Sequence, residues 1–335
     1  MNQGWTYTDH IRPAAAGQTV LNYYTQHYPH STRAQWQSRI EQSQILLGGH
    51  PVTAHTPLAK GQTLTYHRPP WQEPNVPLTF DVLYEDEDLW AIAKPVGLPV
   101  LPGGGFLEHT LLHQLRSRYP NETPVPVHRL GRGTSGVMLI AKSQTARVAL
   151  AKQFRVRTAQ AVSDSSTGYQ SGHQSGPLPF HQQAHHQTHH QPMGKVYRAL
   201  IGPTTPAQLP EHFTCSYPIG KLPYAGLSYL YGHTPTGLAA RSDCQVLQRR
   251  PDSTLVEVSI TTGRPHQIRI HLAATGYPLL GDPLYAPGGT PIIDGSAMPG
   301  DIGYHLHAHR IRFTHPRIGK TLCIEAPPPK ILECC

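Results

Sequence analysis

The segment Thr262–Leu272, TGRPHQIRIHL, and its continuation Gly276–Tyr285, GYPLLGDPLY, are the most informative stretches of the chain. Pro265 lies where a helix can begin, because its fixed φ suits the first helical turn and its missing N–H leaves no helical bond unmade there. Ile268 and Leu272 are four residues apart and therefore lie on one side of such a helix. The pattern predicts a turn followed by a short helix with an apolar side.

Several strands are predicted before and after this helix. Apolar side chains at every second position, which lie on one face of a strand, occur at Phe80, Val82 and Tyr84 and at Val256, Val258 and Ile260. Further strands are predicted at Leu89–Ala93, Lys195–Ile201, His305–Phe313 and Thr321–Ala326. The pattern indicates a large strand-rich unit that begins near residue 78.

The composition indicates a globular protein with a polyanionic partner. The chain has 335 residues and a formal net charge of +8 with neutral histidine, which favours nucleic acid as that partner. No run of about 18 apolar residues occurs, and no basic and apolar leader opens the sequence, so we expect neither a membrane span nor a secretory signal. Five cysteines without C-x-x-C spacing argue against a disulfide scaffold or a cysteine-built zinc site and favour the cytoplasm.

Residues 1–70 are predicted to form a small module of helices and strands. A proline-rich linker, residues 71–77, would separate this module from the rest of the chain, because repeated proline extends neither a helix nor a central strand. Ser31 and Thr32 can cap a helix that carries Trp36 on its apolar side. The module therefore has its own candidate core.

Basic residues of this module offer a candidate contact with RNA. Arg33 and Arg39 lie on the predicted helix, and Lys60 lies in a following turn. One interpretation is a solvated polar helix face, which is the common reason for such charges. The other is a surface that contacts RNA phosphates, and both interpretations stay open at this point.

Residues 158–194 are predicted to be a disordered insertion. The segment contains one charged residue, Asp164, has six histidines between His173 and His190, and is rich in Gln, Ser and Gly. Such a composition buries too little apolar surface to offset the entropy of ordering. Its histidine pairs can bind metal ions adventitiously, but we predict no functional metal site.

Three segments, in this order, carry a resemblance to a known family. They are Val127–Gly136, VHRLGRGTSG; Lys195–Ala199, KVYRA; and the Thr262–Tyr285 region quoted above. Together they resemble the RluA family of RNA pseudouridine synthases, and the resemblance extends over roughly residues 78–328 apart from the insertion. Residues 18–66 are similar, more weakly, to the S4 RNA-binding domain that often precedes this catalytic domain.

The resemblance implies both a fold and a reaction. The implied fold is α+β, with a mixed, largely antiparallel sheet flanked by helices, an RNA cleft across it and an S4-like module at the N-terminus. The implied reaction detaches uridine at its N1 glycosidic bond, turns the base and joins C5 to C1′, without a metal or nucleotide cofactor. The target base in structured rRNA or tRNA must first be flipped into a pocket. The expected partner is structured RNA, and we expect a monomer.

The resemblance also implies roles for individual side chains. Arg269 would pair with the family's catalytic carboxylate, since a buried carboxylate needs a cation to remain ionised. Tyr197 would stack on the flipped base, and Arg129 would enter the gap left in the RNA stack. Arg132 and Arg264 would contact the RNA, together with the basic residues of the N-terminal module.

Gly131 departs from the family pattern, which places Asp directly after His-Arg-Leu. Losing a nucleophile or general base typically costs about 10⁴-fold or more in rate. A buried Arg269 without its carboxylate should recruit a phosphate, a water cluster or another acid. Asp282 has a structural role in its own turn and, like Asp243 and Asp301, could approach only through the fold. Two hypotheses follow: an isomerase that works through a displaced acid or an unfamiliar route, or a catalytically silent RNA-binding protein in ribosome or tRNA maturation.

Overall fold

The computed structural model describes residues 1–166, 193–202, 209–224, 227–293 and 297–334, without the side chains of residues 156–166. These residues form two units, Met1–Pro74 with Pro223–Leu230, and Asn75–Leu222 with Tyr231–Cys335. Sheets and helices occur together, so the predicted α+β class is confirmed. In the described part of the chain, no helix is both long and apolar enough to cross a membrane.

The first unit contains a four-stranded antiparallel sheet and two helices. In chain order they are β1 Trp5–His10, α1 Val20–His27, α2 Arg33–Glu41, β2 Ile45–Leu47, β3 His50–Pro51 and β4 Thr63–Arg68. The strand order is β1-β4-β2-β3. The predicted cap of α2 is confirmed, because Thr32 Oγ1 accepts the Gln35 N–H and the Gln35 side chain accepts the Thr32 N–H. Trp36 and Ile40 of α2 are buried in the core of this unit.

The remaining elements are built around one large sheet. In chain order they are β5 Asp81–Glu85, β6 Leu89–Lys94, α3 Leu111–Arg118, β7 Val125–Pro126, β8 Thr134–Ala141, α4 Gln144–Ser166, β9 Gly194–Ile201, β10 His212–Cys215, β11 Ile219–Tyr224, β12 Leu227–His233, β13 Ser242–Arg249, β14 Thr254–Ile260, α5 Gln267–Ala274, β15 Leu306–Thr314 and β16 Thr321–Glu325. The order of the large sheet is β10-β13-β14-β9-β15-β8-β6-β5, with β16 beside β15 and β7 beside β8, and β11 pairs with β12. All described pairs of the large sheet are antiparallel except β15 with β8, so the predicted largely antiparallel sheet is confirmed.

Strand β15 joins two of the segments that carry the resemblance. Ala308 of β15 lies opposite Tyr197 of β9 on one side and opposite Gly136 of β8 on the other. The loop of residues 127–133 leads directly into β8. The register of three neighbouring strands therefore brings the Tyr197 segment and the Gly131 loop to one region of the sheet.

Helix α5 begins at Gln267, two residues after the predicted start at Pro265. His266 adopts a left-handed conformation, with φ of 54°, and therefore precedes the helix instead of belonging to it. The Gln267 side chain fixes this turn, because its Oε1 accepts the Thr262 hydroxyl at 2.7 Å and the Arg264 N–H at 3.0 Å. The helix is buried along Gln267 to Ala273, so it belongs to the interior of the second unit.

Helix α4 extends into the segment that the sequence predicts to be disordered. Its backbone is helical through Ser166, eight residues past position 158, where the predicted insertion begins. Residues 167–192 lie outside the described residues, and so do the histidine pairs of the insertion. Disorder in that part of the chain stays a prediction.

Candidate active site

Arg269 on helix α5 forms a buried ion pair with Asp282. Its Nε–H donates to Asp282 Oδ2 at 2.7 Å and its Nη2 donates to Oδ1 at 2.6 Å, and the two side chains are 3% and 1% exposed. A two-pronged guanidinium–carboxylate contact combines charge with fixed geometry. Burial acts to lower the pKa of Arg269, but the hydrogen bonds to Asp282 and the nearby phenols outweigh it and raise that pKa. Arg269 therefore stays cationic.

Asp282 is the one of the distant acids considered from the sequence that the fold brings to Arg269. Of the three partners expected for a buried Arg269, the structure contains another acid, Asp282, which has this role in addition to its predicted role in the turn. Asp282 does support the turn, since its Oδ1 also accepts the Leu284 N–H at 2.9 Å. The same carboxylate therefore neutralises the guanidinium and orders the chain that follows, with both of its oxygens hydrogen-bonded to Arg269.

Two tyrosine rings complete the surroundings of Arg269. Its Cζ lies 4.2 Å from the ring centroid of Tyr304 and 5.1 Å from that of Tyr285. The Tyr285 hydroxyl donates to the Tyr231 carbonyl at 2.7 Å and also lies 2.7 Å from His266 Nδ1. Burial, and then the charge of Arg269, lower the pKa of His266 to about 3. The His266 ring is therefore neutral, and its Nδ1–H donates to the Tyr285 oxygen because the single Tyr285 proton is already committed.

The space beside Gly131 is taken by the hydroxyl of Tyr304. A side chain at position 131 would place its Cβ 3.1 Å from Tyr304 Oη, and one at position 133 would place its Cβ 2.8 Å from Tyr304 Cζ. The second distance is closer than real Cβ contacts, so Gly133 is required for the phenol to lie there. Thr134 Oγ1 lies 3.4 Å from the same hydroxyl. Gly131 itself is exposed, whereas Tyr304 is buried at 4% exposure, so the phenol lies in the interior beside the Gly131 loop.

A buried lysine holds the backbone of this loop in place. Lys94 Nζ, at the end of β6, donates to the carbonyl oxygens of Pro95 at 2.7 Å, Leu98 at 2.9 Å and Arg132 at 3.4 Å. The Gly97 N–H donates to the same Arg132 carbonyl at 2.8 Å. Burial, assisted by the charge of Arg132, lowers the pKa of Lys94 to about 7. The segment after β6 thus fixes the position of the Gly131 loop.

The other two predicted catalytic side chains differ in exposure. Tyr197 on β9 is 7% exposed and belongs to the main hydrophobic core of the second unit. Arg129 is exposed in the loop before β8, and its charge lowers the pKa of His266 in addition to the larger effects of burial and Arg269. The Arg129 loop and the turn before α5 therefore lie close together. Base stacking by Tyr197 and insertion of Arg129 into RNA stay predictions.

The predicted RNA contacts of the first unit lie on α2 and in the turn before β4. Arg33 and Lys60 are exposed, and Arg33 donates to Asn22 Oδ1 at 2.9 Å. Arg39 is partly buried, with its Cζ 4.3 Å from the centroid of the Trp36 ring. Arg33 and Lys60 are thus the more accessible of the three cations.

The predicted RNA contacts of the second unit are partly tied to backbone oxygens. Arg132 donates its Nε–H to the Gly300 carbonyl at 2.6 Å, and Arg264 donates its Nε–H to the Ala239 carbonyl at 3.2 Å. Both guanidiniums are partly buried. These bonds fix the direction of each side chain, while contact with RNA stays a prediction for both.

Sequence reasoning missed Tyr304. It stands two residues before β15, outside every segment that carries the resemblance, and no local pattern marks it. The parallel pairing of β15 with β8, in which Leu306 faces Thr134, brings it to the Gly131 loop. Asp282 and His266, in contrast, lie inside the region quoted at the outset, so that region marks them as candidates.

Comparisons with known proteins agree with this arrangement. The family described as RNA pseudouridylate synthase matches residues 88–162 and 179–274. An uncharacterised RNA pseudouridine synthase of Synechocystis sp. is 46% identical over 314 residues, which are 93% of this chain and 95% of the relative. Ribosomal large subunit pseudouridine synthase D of Neisseria meningitidis serogroup B is 28% identical over 316 residues, covering 90% of this chain and 73% of the relative.

A solved structure shows the same fold at low sequence identity. Human RNA pseudouridylate synthase domain containing 1 aligns with a TM-score of 0.52 and 20% identity, over 78% of this chain and 89% of that chain. The likeness concerns the fold alone, whereas the family match and the Synechocystis relative concern the sequence. On these grounds the chain belongs to the RNA pseudouridine synthase family.

Proposed function

We propose that this protein isomerises uridine to pseudouridine in structured rRNA or tRNA, although Gly131 stands where the family's catalytic Asp is expected. The observation that carries the proposal is the buried, fully paired Arg269 with a hydroxyl beside Gly131. A pocket that had lost its acid without compensation would hold an unpaired buried cation, at a cost of several kcal/mol. Here the cation keeps a carboxylate and two aromatic rings, which supports a site that still works.

Ribosomal RNA is the favoured substrate within this proposal. The Neisseria relative is named as a synthase of the large ribosomal subunit, and the net charge of +8 suits a polyanion. In this proposal residues 1–70 act as an S4-like RNA-binding module, residues 71–77 as a linker, and residues 78–335 as the synthase domain with its insertion at 158–194. We further propose that the protein acts as a cytoplasmic monomer.

Contacts with phosphate are proposed for two exposed cations of the first unit. Each contact between a cation and a phosphate releases condensed counterions, so affinity falls with salt by a slope of about 0.7 to 0.9 per contact. The double substitution Arg33→Ala/Lys60→Ala should therefore reduce the slope of log affinity against log salt by about 1.5. An unchanged slope would remove these two residues from the RNA surface.

A second candidate is a catalytically silent RNA-binding protein, and Gly131 favours it. Position 131 offers no group that can react with ribose, and the Asp282 carboxylate is committed to Arg269. Such a protein would retain RNA affinity and its salt dependence. It would leave every uridine unchanged.

Mapping of pseudouridine in unmodified RNA separates the two candidates. Ribosomal RNA and tRNA transcribed in vitro are incubated with the purified full chain, and new pseudouridines are located by carbodiimide labelling and primer extension. We expect conversion of at least one uridine. Salt-dependent binding without conversion would support the silent protein, and neither binding nor conversion would refute both.

Two matched arginine variants test whether Arg129 contributes to base flipping. Arg129→Ala should slow conversion roughly tenfold or more, because flipping a base costs a few kcal/mol and this side chain is proposed to fill the gap. Arg116→Ala on α3 removes an equally charged, exposed side chain and serves as the control. Equal rates for both variants would contradict the proposed role of Arg129.

A further inference from the structure

The phenol of Tyr304 lies beside the point where a side chain at position 131 would begin. Its Oη lies 3.1 Å from the Cβ that a residue at position 131 would have, and Gly133 leaves room for its ring. The ring lies over the guanidinium of Arg269, with 4.2 Å between Arg269 Cζ and the ring centroid. Tyr304 is 4% exposed, with its hydroxyl beside the exposed Gly131 and its ring face over the buried Arg269 guanidinium.

Three carboxylates that could compete for this role have contacts of their own. Asp282 is bound to Arg269 by both oxygens. Glu122 pairs with Lys142 at 3.4 Å. Asp301 accepts the Met298 N–H at 2.8 Å and lies 4.0 Å from the nearest Arg132 nitrogen. Asp301 is the strongest competitor among them, because it lies on the same segment as Tyr304 and is partly exposed.

We propose that Tyr304 Oη is the catalytic oxygen of this site, in place of a carboxylate at position 131. The proposal rests on the isomerase function proposed above. A tyrosine can serve as the nucleophile at a sugar C1 carbon in place of a carboxylate, as in some glycoside hydrolases. The Arg269 cation beneath the ring stabilises the negative charge that the phenol oxygen carries during the reaction, and Asp282 holds that cation in position.

The reaction balances without a co-reactant. Tyr304 Oη bonds to C1′ as the N1–C1′ bond breaks, the electron pair of that bond goes to the uracil, and the phenol proton moves to N1. The uracil then turns until C5 faces C1′. The C5–C1′ bond forms as the Oη–C1′ bond breaks, and the C5 proton returns to the phenolate. Two displacements at C1′ retain its configuration, and Tyr304 ends as it began.

Removal of one oxygen atom tests the assignment. Tyr304→Phe keeps the ring over Arg269 and removes only Oη, whose contact with Thr134 Oγ1 is a long one at 3.4 Å. We expect its single-turnover rate on unmodified RNA to fall by about 10³-fold or more, with an RNA affinity and a thermal unfolding midpoint close to those of the unsubstituted protein. Tyr277→Phe, at a partly buried tyrosine that follows α5, is the matched control and should keep its rate.

A fluorinated tyrosine at position 304 distinguishes a reacting oxygen from a structural one. Fluorine lowers the pKa of a phenol with little change in its shape, so the pH–rate profile should move to lower pH if Oη reacts. Full activity of Tyr304→Phe, an unmoved pH–rate profile, or loss of turnover in Asp301→Asn but not in Tyr304→Phe would each overturn the proposal. An inactive unsubstituted protein that still binds RNA would refute the isomerase function itself, which is a different outcome.

Discussion

Replacing Asp282 by Asn tests the buried ion pair most directly. The substitution keeps the shape of the side chain but removes its charge. It also replaces one oxygen that accepts a hydrogen bond from Arg269 by an NH₂ group, which cannot accept one. The guanidinium is 3% exposed and cannot regain water without opening the site. Breaking one partner of a buried pair typically costs about 3 to 5 kcal/mol, because the remaining charge stays uncompensated. We expect urea unfolding of Asp282→Asn to show a loss of stability of about that size.

A surface pair supplies the control for this experiment. Asp243 binds Arg241 at 2.8 Å, but the two side chains are 39% and 48% exposed. Water screens such a pair, so Asp243→Asn should change stability by about 0 to 1 kcal/mol. Removing both buried partners, as in Arg269→Met/Asp282→Leu, should destabilise less than Asp282→Asn alone. The reasoning fails if Asp282→Asn costs no more than Asp243→Asn.

Three further perturbations follow from individual contacts. Stability should fall as pH drops below 6.5, because unfolded His266 takes up a proton near its ordinary pKa while the folded ring, with a pKa of about 3, does not. At pH 5 this contribution lowers the free energy of unfolding by about 2 kcal/mol. Urea unfolding of His266→Gln should show a pH dependence that is smaller by this amount. Lys94→Met leaves the carbonyls of Pro95 and Leu98 without this donor and should cost about 3 kcal/mol by urea unfolding, and an unchanged midpoint would contradict this. Thr32→Ala removes the cap of α2 and should cost about 1 kcal/mol, measurable as faster amide exchange in α2, whereas Ser38→Ala, on the exposed face of that helix, should not.

Local pattern was sufficient to predict much of the fold. The alternation at Val256, Val258 and Ile260 corresponds to strand β14, and Thr32 begins α2 as its side-chain chemistry predicts. Both features depend on interactions between residues close in sequence, which periodicity and capping preferences describe. The start of α5 was misplaced because the Gln267 side chain, not the proline, fixes the turn. Hydrogen bonds from a single side chain to a turn produce no periodic pattern in the sequence, so the sequence does not predict them.

The sequence predicted only those residues of the site that lie together in one continuous segment. Arg269 and Asp282 lie 13 positions apart in one continuous stretch, so both appear in the region that resembles the family. Tyr304 reaches the Gly131 loop through strand pairing between β15 and β8, two strands far apart in the chain. Register between such strands is a property of the whole sheet, and composition or spacing does not encode it locally. A single sequence therefore indicates a departure from a local motif more readily than a contact between distant strands.

The charge balance of the site explains why a phenol suits this position better than a restored acid. Arg269 and Asp282 together are neutral, and a carboxylate at position 131 would be a second anion competing for a cation that is already paired. It would also meet Tyr304 Oη, since even its Cβ would lie 3.1 Å from that oxygen. A phenol is neutral until it reacts, so it needs no counter-charge in the resting site. Its negative charge develops only during the reaction, above a guanidinium that Asp282 holds in position, and this is the moment at which electrostatic stabilisation increases the rate.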